Sequence, residues 1–345
     1  MLPIGGKVWQ KINNSPNFLF TLRMKKTLLS RLTCLAALLP ATSYADSSKA
    51  NNATALNLVG SWTNATVPGS ADIAIWDSNF TANTLANQPQ LGADTTWRGI
   101  QVTNVGGAAN GTTLAAAILN TNSANTLTLG NGGINMSAAT QLLVIQSKLP
   151  LSANQTWNVA NANTNTAPVS GFAMNEDLAF ASQVNGTAVN LGTNTATKSG
   201  AGTVVFSSGH TISNGTFNVD GGVLHFQSGG SRITTLNSNL NLVANNGGTV
   251  SFAVQSAAVN SAAPITLNTG GSLTLIPAQG NALTQSGNIN VAGNANLNVA
   301  AQPNGSNNAA ATLRISGNIS GAGNINLNST VAAAFSATTG LRFSG

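Results

Sequence analysis

Two apolar residues flanking one polar residue form the shortest pattern that places side chains on one face of a strand. Such triplets recur through the second half of this chain in two interleaved series. One series is Phe217/Val219, Leu240/Leu242, Ile265/Leu267, Ile289/Val291 and Leu313/Ile315, with steps of 23, 25, 24 and 24 between first members. The other is Val204/Phe206, Leu224/Phe226, Val250/Phe252, Leu273/Leu275, Leu297/Val299 and Ile325/Leu327, with steps of 20, 26, 23, 24 and 28. Glycine-rich breaks separate them, such as DGG at 220–222, NNGG at 245–248 and NTGG at 268–271. The phrase also occurs upstream, as Leu127/Leu129 and Ile134/Met136 followed by Leu149/Leu151 and Trp157/Val159.

A steady period of about 24 residues, built from short strands and glycine turns, predicts an all-β protein. Two architectures fit. In a parallel β-helix each period is one coil, and equivalent strands stack so that the apolar pairs form an inner ladder. In a hairpin meander, sandwich or barrel, loop lengths vary freely and nothing holds the period constant. The constancy favours a right-handed parallel β-helix, with coils of about 24 residues. The polar middles are then expected to face outward: Asn218, Asn241, Thr266, Asn290 and Arg314 in the first series, and His225, Ser251, Thr274, Asn298 and Asn326 in the second. No stretch after residue 45 carries a sustained helical period.

Composition sharpens this picture. Residues 46–345 contain 45 asparagines. Asn tolerates the left-handed backbone of sharp corners and forms side-chain ladders when stacked in register. Such polarity would suggest disorder, but disorder comes with high net charge and few β-branched residues. Here the formal charge of +6 sits in the first 45 residues, which hold six cations and no acid. The remaining chain has seven cations and seven acids. A neutral body offers no electrostatic drive toward nucleic acid.

The first 45 residues read as a leader. Met24-Lys25-Lys26 is a basic start, LTCLAALLP a short apolar run, and Ser43-Tyr44-Ala45 a cleavage site with small residues at its two key positions. The run is too short to span a bilayer. Residues 1–23 then form an upstream extension and 24–45 a signal peptide. Cys34, the single cysteine, falls within the leader, so the exported chain would carry no disulfide or thiolate site.

Around residue 200 the motif is dense: Lys198, Gly200, Gly202, Thr203, Val204, Phe206 and Ser207, then Gly215, Thr216, Val219, Gly222, Leu224 and Phe226. This resembles the autotransporter-associated β-strand repeat family, whose phrase runs roughly K-x-G-x-G-T-L-x-L-S-G followed by G-G-T-x-V and G-T-L-x-L. Val223 and Asn214 depart from that pattern. ISGNISGAGNINLNS at 315–329 resembles the lead-in to a further copy, and LRFSG at 341–345 the start of one cut short. GSWTNATVPGSADIAIWDSNF and TWRGIQV resemble, less closely, an opening module. The resemblance implies a β-helical passenger or stalk displayed on a Gram-negative surface, normally joined to an outer-membrane barrel or sorting anchor that this sequence lacks. It carries over no catalytic residue. The resulting division is a cap or opening module over 46–120 and repeats over 121–345, truncated at the C-terminus.

Candidate chemistry is sparse. β-Helical lyases and hydrolases need clustered or paired carboxylates, and the seven acids are scattered, with Glu176-Asp177 the one adjacent pair. His210 and His225 lack a third ligand at readable spacing and are expected at the surface. No serine has a readable His-Asp pairing. The sequence therefore predicts no catalytic residue, metal or cofactor. The alternative is a carbohydrate-active β-helix, either a polysaccharide lyase-like enzyme or a glycan-binding module built on Trp62, Trp76 and Trp97, although these three read first as the packing of an N-terminal cap. Trp157 belongs by period to the inner ladder. The expected partners are surface glycans or neighbouring cells.

Overall fold

The computed structural model describes residues 45–80, 89–103, 114–118, 125–139, 142–160, 178–181, 189–207, 209–229, 232–278, 280–300, 312–329 and 342–343. Residues 1–44, which hold all but the last position of the predicted leader and Cys34, lie outside this set, as do Glu176 and Asp177.

Among the described residues the chain is all-β, with a 3-10 turn at Val59–Ser61 as its one helical element. Two long sheets carry the fold, one of 15 strands and one of 9. Every strand-to-strand pairing in them is parallel. Parallel neighbours cannot be joined by a tight hairpin. Ser47–Ser48, Ile73–Trp76 and Thr95–Val102 stack in direct succession, and beyond them the chain passes through at least one other strand before it returns to stack on an earlier one.

The smaller sheet follows the second triplet series. Its successive strands include Thr203–Ser207, Gly222–Gln227, Gly248–Ala253, Ser272–Ile276, Ala295–Val299 and Ile325–Ser329. Register aligns Val204, Leu224, Val250, Leu273, Leu297 and Leu327 in one row. It aligns Phe206, Phe226, Phe252, Leu275 and Val299 in the next inward row. Phe206 stacks on Phe180 with ring centroids 4.8 Å apart and on Phe226 at 5.0 Å. That separation is close to the spacing of neighbouring strands, so the aromatic stack is set by the ladder itself. The last step differs from the sequence alignment, since Ile325 stacks on Ala295 and Leu327 on Leu297.

The larger sheet corrects the first series in two places. Phe217 pairs with Leu242 and Val219 with Ala244, so the Leu240/Leu242 alignment slips by two positions. A slip of two keeps every side chain on its own face, and the small Ala244 hid the true partner. Leu313 and Ile315 stack on Leu283 and Gln285. The row of Ile265 and Ile289 continues to Ile319 instead. The return from Ile289 to Ile319 is thus longer than the one from Ile265 to Ile289, and only the folded register shows where the extra residues enter. Arg342–Phe343 adds a final strand on Arg314 and Ile315.

Parallel pairing begins with Ser47–Ser48, inside the 46–120 stretch. Trp62, Trp76 and Trp97 are buried there with centroids 5.9–6.1 Å apart, mostly edge-to-face, the arrangement their quadrupoles favour. Trp157 is fully buried against Phe180 and Phe217.

Candidate functional site

The densest sequence motif folds into a corner shared by successive strand layers. Lys198 lies in strand Thr195–Ser199, between Trp157 and Val219 in register. It therefore sits on the inner row and is fully buried. Its Nζ donates to the carbonyls of Ser199 at 3.3 Å, Gly200 at 2.6 Å and Gly221 at 2.8 Å. Gly200 belongs to one corner and Gly221 to the corner stacked on it, so one ammonium ties two layers together. A charged donor is what makes a buried carbonyl cluster tolerable.

The glycines of the motif make room for this contact. Gly222 has φ +62, and a Cβ there would meet the Gly202 carbonyl and come within 2.5 Å of Lys198 Nζ. A Cβ at Gly200 would press on the Val159 carbonyl and Ala160. Gly215 abuts Leu191. The remaining motif residues supply the strands. Thr203, Val204 and Phe206 pair with Val223, Leu224 and Phe226, while Thr216 pairs with Thr195 and Asn241. Val204, Phe206, Val219, Leu224 and Phe226 are core. The motif's lysine and apolar side chains are thus spent on internal contacts, and Thr203 and Thr216 are half-buried.

Both histidines overturn the surface expectation. His225 is fully buried and its Nδ1 shares a 3.0 Å hydrogen bond with Ser251 Oγ. Burial lowers its pKa to about 4, and a hydrogen bond with Gln227 offsets part of that. His210 is buried, donating from Nε2 to the Phe180 carbonyl at 2.8 Å, edge-on to Phe206. Ser251 is buried too. The facing inference fails here because a strand's second face is exposed only where nothing packs on it. Val205, Ser207, His225, Gln227, Ser251 and Ala253 are all buried on that face. The same columns reach partly exposed Thr274 and Asn298 and exposed Asn328 toward the C-terminal strands.

There the asparagines form ladders. Asn328 donates to Asn298 at 3.0 Å, and Asn298 to Thr274 Oγ1 at 3.3 Å. Asn326 donates to Asn296, which donates to Ser272. At a corner, Asn268 donates to Asn245 and Asn245 to Asp220, each at 2.6 Å.

Lys49 was not singled out by the sequence. It too is fully buried, with Nζ donating to the Ala50 carbonyl at 2.8 Å, the Asn52 carbonyl at 2.9 Å and Asn52 Oδ1 at 3.0 Å. The Phe80 ring lies 5.4 Å from Nζ. Burial lowers its pKa to about 8, which still leaves an ammonium at neutral pH. A lysine at an alternating inward position, as at 198, was the available signal.

Among the described residues no group of three His, Cys, Asp or Glu side chains could hold a metal ion, and the ion pair found is Arg98–Asp46 at 3.5 Å. No family model, curated protein or solved structure matches the chain. The resemblance to the autotransporter-associated repeats rests on the residues that carry it.

Proposed function

We propose that this chain is an exported, non-enzymatic repeat protein, a surface stalk or adhesin-like passenger wound as a right-handed parallel β-helix with coils of about 24 residues. The observation that carries the reading is the parallel stacking, among the described residues, of one sheet with strands from Ser47 to Phe343 and a second with strands from Leu114 to Ser329. Such a stack grows in one direction by adding similar layers, each contacting only its neighbours, which suits an extended spacer. The Lys198 ammonium on the Gly200 and Gly221 carbonyls, the buried histidines and the amide ladders tie neighbouring strands together. Glycans or neighbouring cells are the partners proposed for its outer surface, and an outer-membrane barrel or sorting anchor its means of attachment.

The test is expression of the epitope-tagged chain, joined to an outer-membrane anchor, in a Gram-negative host. Surface protease should remove the tag from intact cells. A tag protected in intact cells but cleaved after lysis would count against display. The competing reading is a polysaccharide-degrading β-helix or a glycan-binding module. Trp62, Trp76 and Trp97 are buried and offer no stacking face. Release of unsaturated or reducing ends from uronic-acid polysaccharides would nonetheless establish the enzyme and displace the stalk.

A further inference from the structure

The pocket around Lys49 has the composition of a receptor for a cation. Three oxygens converge on one point at 2.8, 2.9 and 3.0 Å, matching the three N–H donors of a primary ammonium. Asn52 is held with its oxygen toward that point, because its Nδ2 donates to the Gly60 carbonyl at 2.9 Å and its Oδ1 also accepts from Thr54 N–H at 3.1 Å. The face of Phe80 supplies a further attraction for positive charge. No carboxylate among the described residues pairs with Lys49. The cage thus recognises the cation through neutral dipoles alone. A similar set of backbone oxygens surrounds the Lys198 ammonium, so the arrangement is a recurring device of this chain.

We propose that Ala50, Asn52 and Phe80 form a binding site for primary alkylammonium ions, occupied in the native protein by its own Lys49 side chain. The occupant latches the 50–62 segment onto the first strands, where Lys49 also bridges Trp62. A ligand that fills the cage after the lysine is shortened must supply three N–H donors and a short alkyl stem. Lys49→Ala retains Cβ, which a non-bonded carbon approaches only to about 3.5–4 Å, so a stem of one or two carbons ending in an ammonium fits the space.

The experiment is thermal unfolding of the full chain carrying Lys49→Ala, across methyl-, ethyl-, propyl- and butylammonium chloride at constant ionic strength. Tetramethylammonium chloride and 1-propanol serve as controls. The variant should lose about 10 °C in Tm, and methyl- and ethylammonium should restore most of that loss, more than propyl- and butylammonium, whose terminal carbons would overlap the alanine Cβ. Tetramethylammonium, which has no N–H, and propanol, which has no charge, should restore little. Lys49→Met, whose side chain fills the space, should not respond to the series. An equal response to propanol, a response with no dependence on chain length, or a variant that stays unfolded in every amine would overturn the proposal.

Discussion

A glycine-to-alanine pair separates close packing from backbone strain. Gly222 and Gly247 both have positive φ, +62 and +78. A Cβ added at Gly247 meets nothing within 4 Å, whereas at Gly222 it meets the Gly202 carbonyl and lies 2.5 Å from Lys198 Nζ. Gly247→Ala should therefore cost only the left-handed penalty, about 1–2 kcal/mol. Gly222→Ala carries the same penalty and also displaces the ammonium from its carbonyls. Each hydrogen bond to a charged group contributes about 1.5–3 kcal/mol, so losing even one of the three puts the total at about 3–5 kcal/mol. Equilibrium urea unfolding followed by circular dichroism measures both, with unchanged m-values showing that the denatured state is not the cause. Lys198→Met supplies the cross-check. Once the ammonium is gone, adding Gly222→Ala should cost clearly less than it does alone, because the two residues share one contact. Equal destabilisation by Gly222→Ala and Gly247→Ala, within about 0.5 kcal/mol, would refute the clamp.

Leu273→Asp should cost several kcal/mol by burying an unpaired charge, while Thr274→Asp on the opposite face should be tolerated, as read by the shift in unfolding midpoint. His225 has a pKa lowered to about 4 in the folded chain against about 6.5 unfolded. The folded state thus binds fewer protons between those values, and stability present above pH 6.5 should fall by about 3 kcal/mol as pH drops toward 4. His225→Gln should flatten the stability profile in that window, and an unchanged slope would show that another group titrates. Trp97→Ala should destabilise by about 3–5 kcal/mol, and added glycans should leave the tryptophan emission of residues 46–345 unchanged because Trp62, Trp76, Trp97 and Trp157 are buried.

The sequence by itself determined the strand class and most of the inward face. Alternation at spacing two is a local property, so Val204/Phe206, Leu224/Phe226, Val250/Phe252, Leu273/Leu275 and Leu297/Val299 could be aligned from their triplets and glycine breaks alone. Register within a face was less legible, because a slip of two preserves the pattern. That is why Ala244, and not Leu242, turned out to stack on Val219, and why Leu313 moved onto Leu283. What packs over a sheet's second face depends on segments distant in sequence. Only the tertiary structure could bury His225 and Ser251 while leaving Asn328, in the same column, exposed. The two lysines make the same point. The alternating position of each lysine hints at an inward side chain, but not at what receives its ammonium. Lys49 ends on Ala50 and Asn52 close by in the chain, whereas Lys198 depends on the corner of the next layer, which brings the Gly221 carbonyl to 2.8 Å across 23 residues of chain.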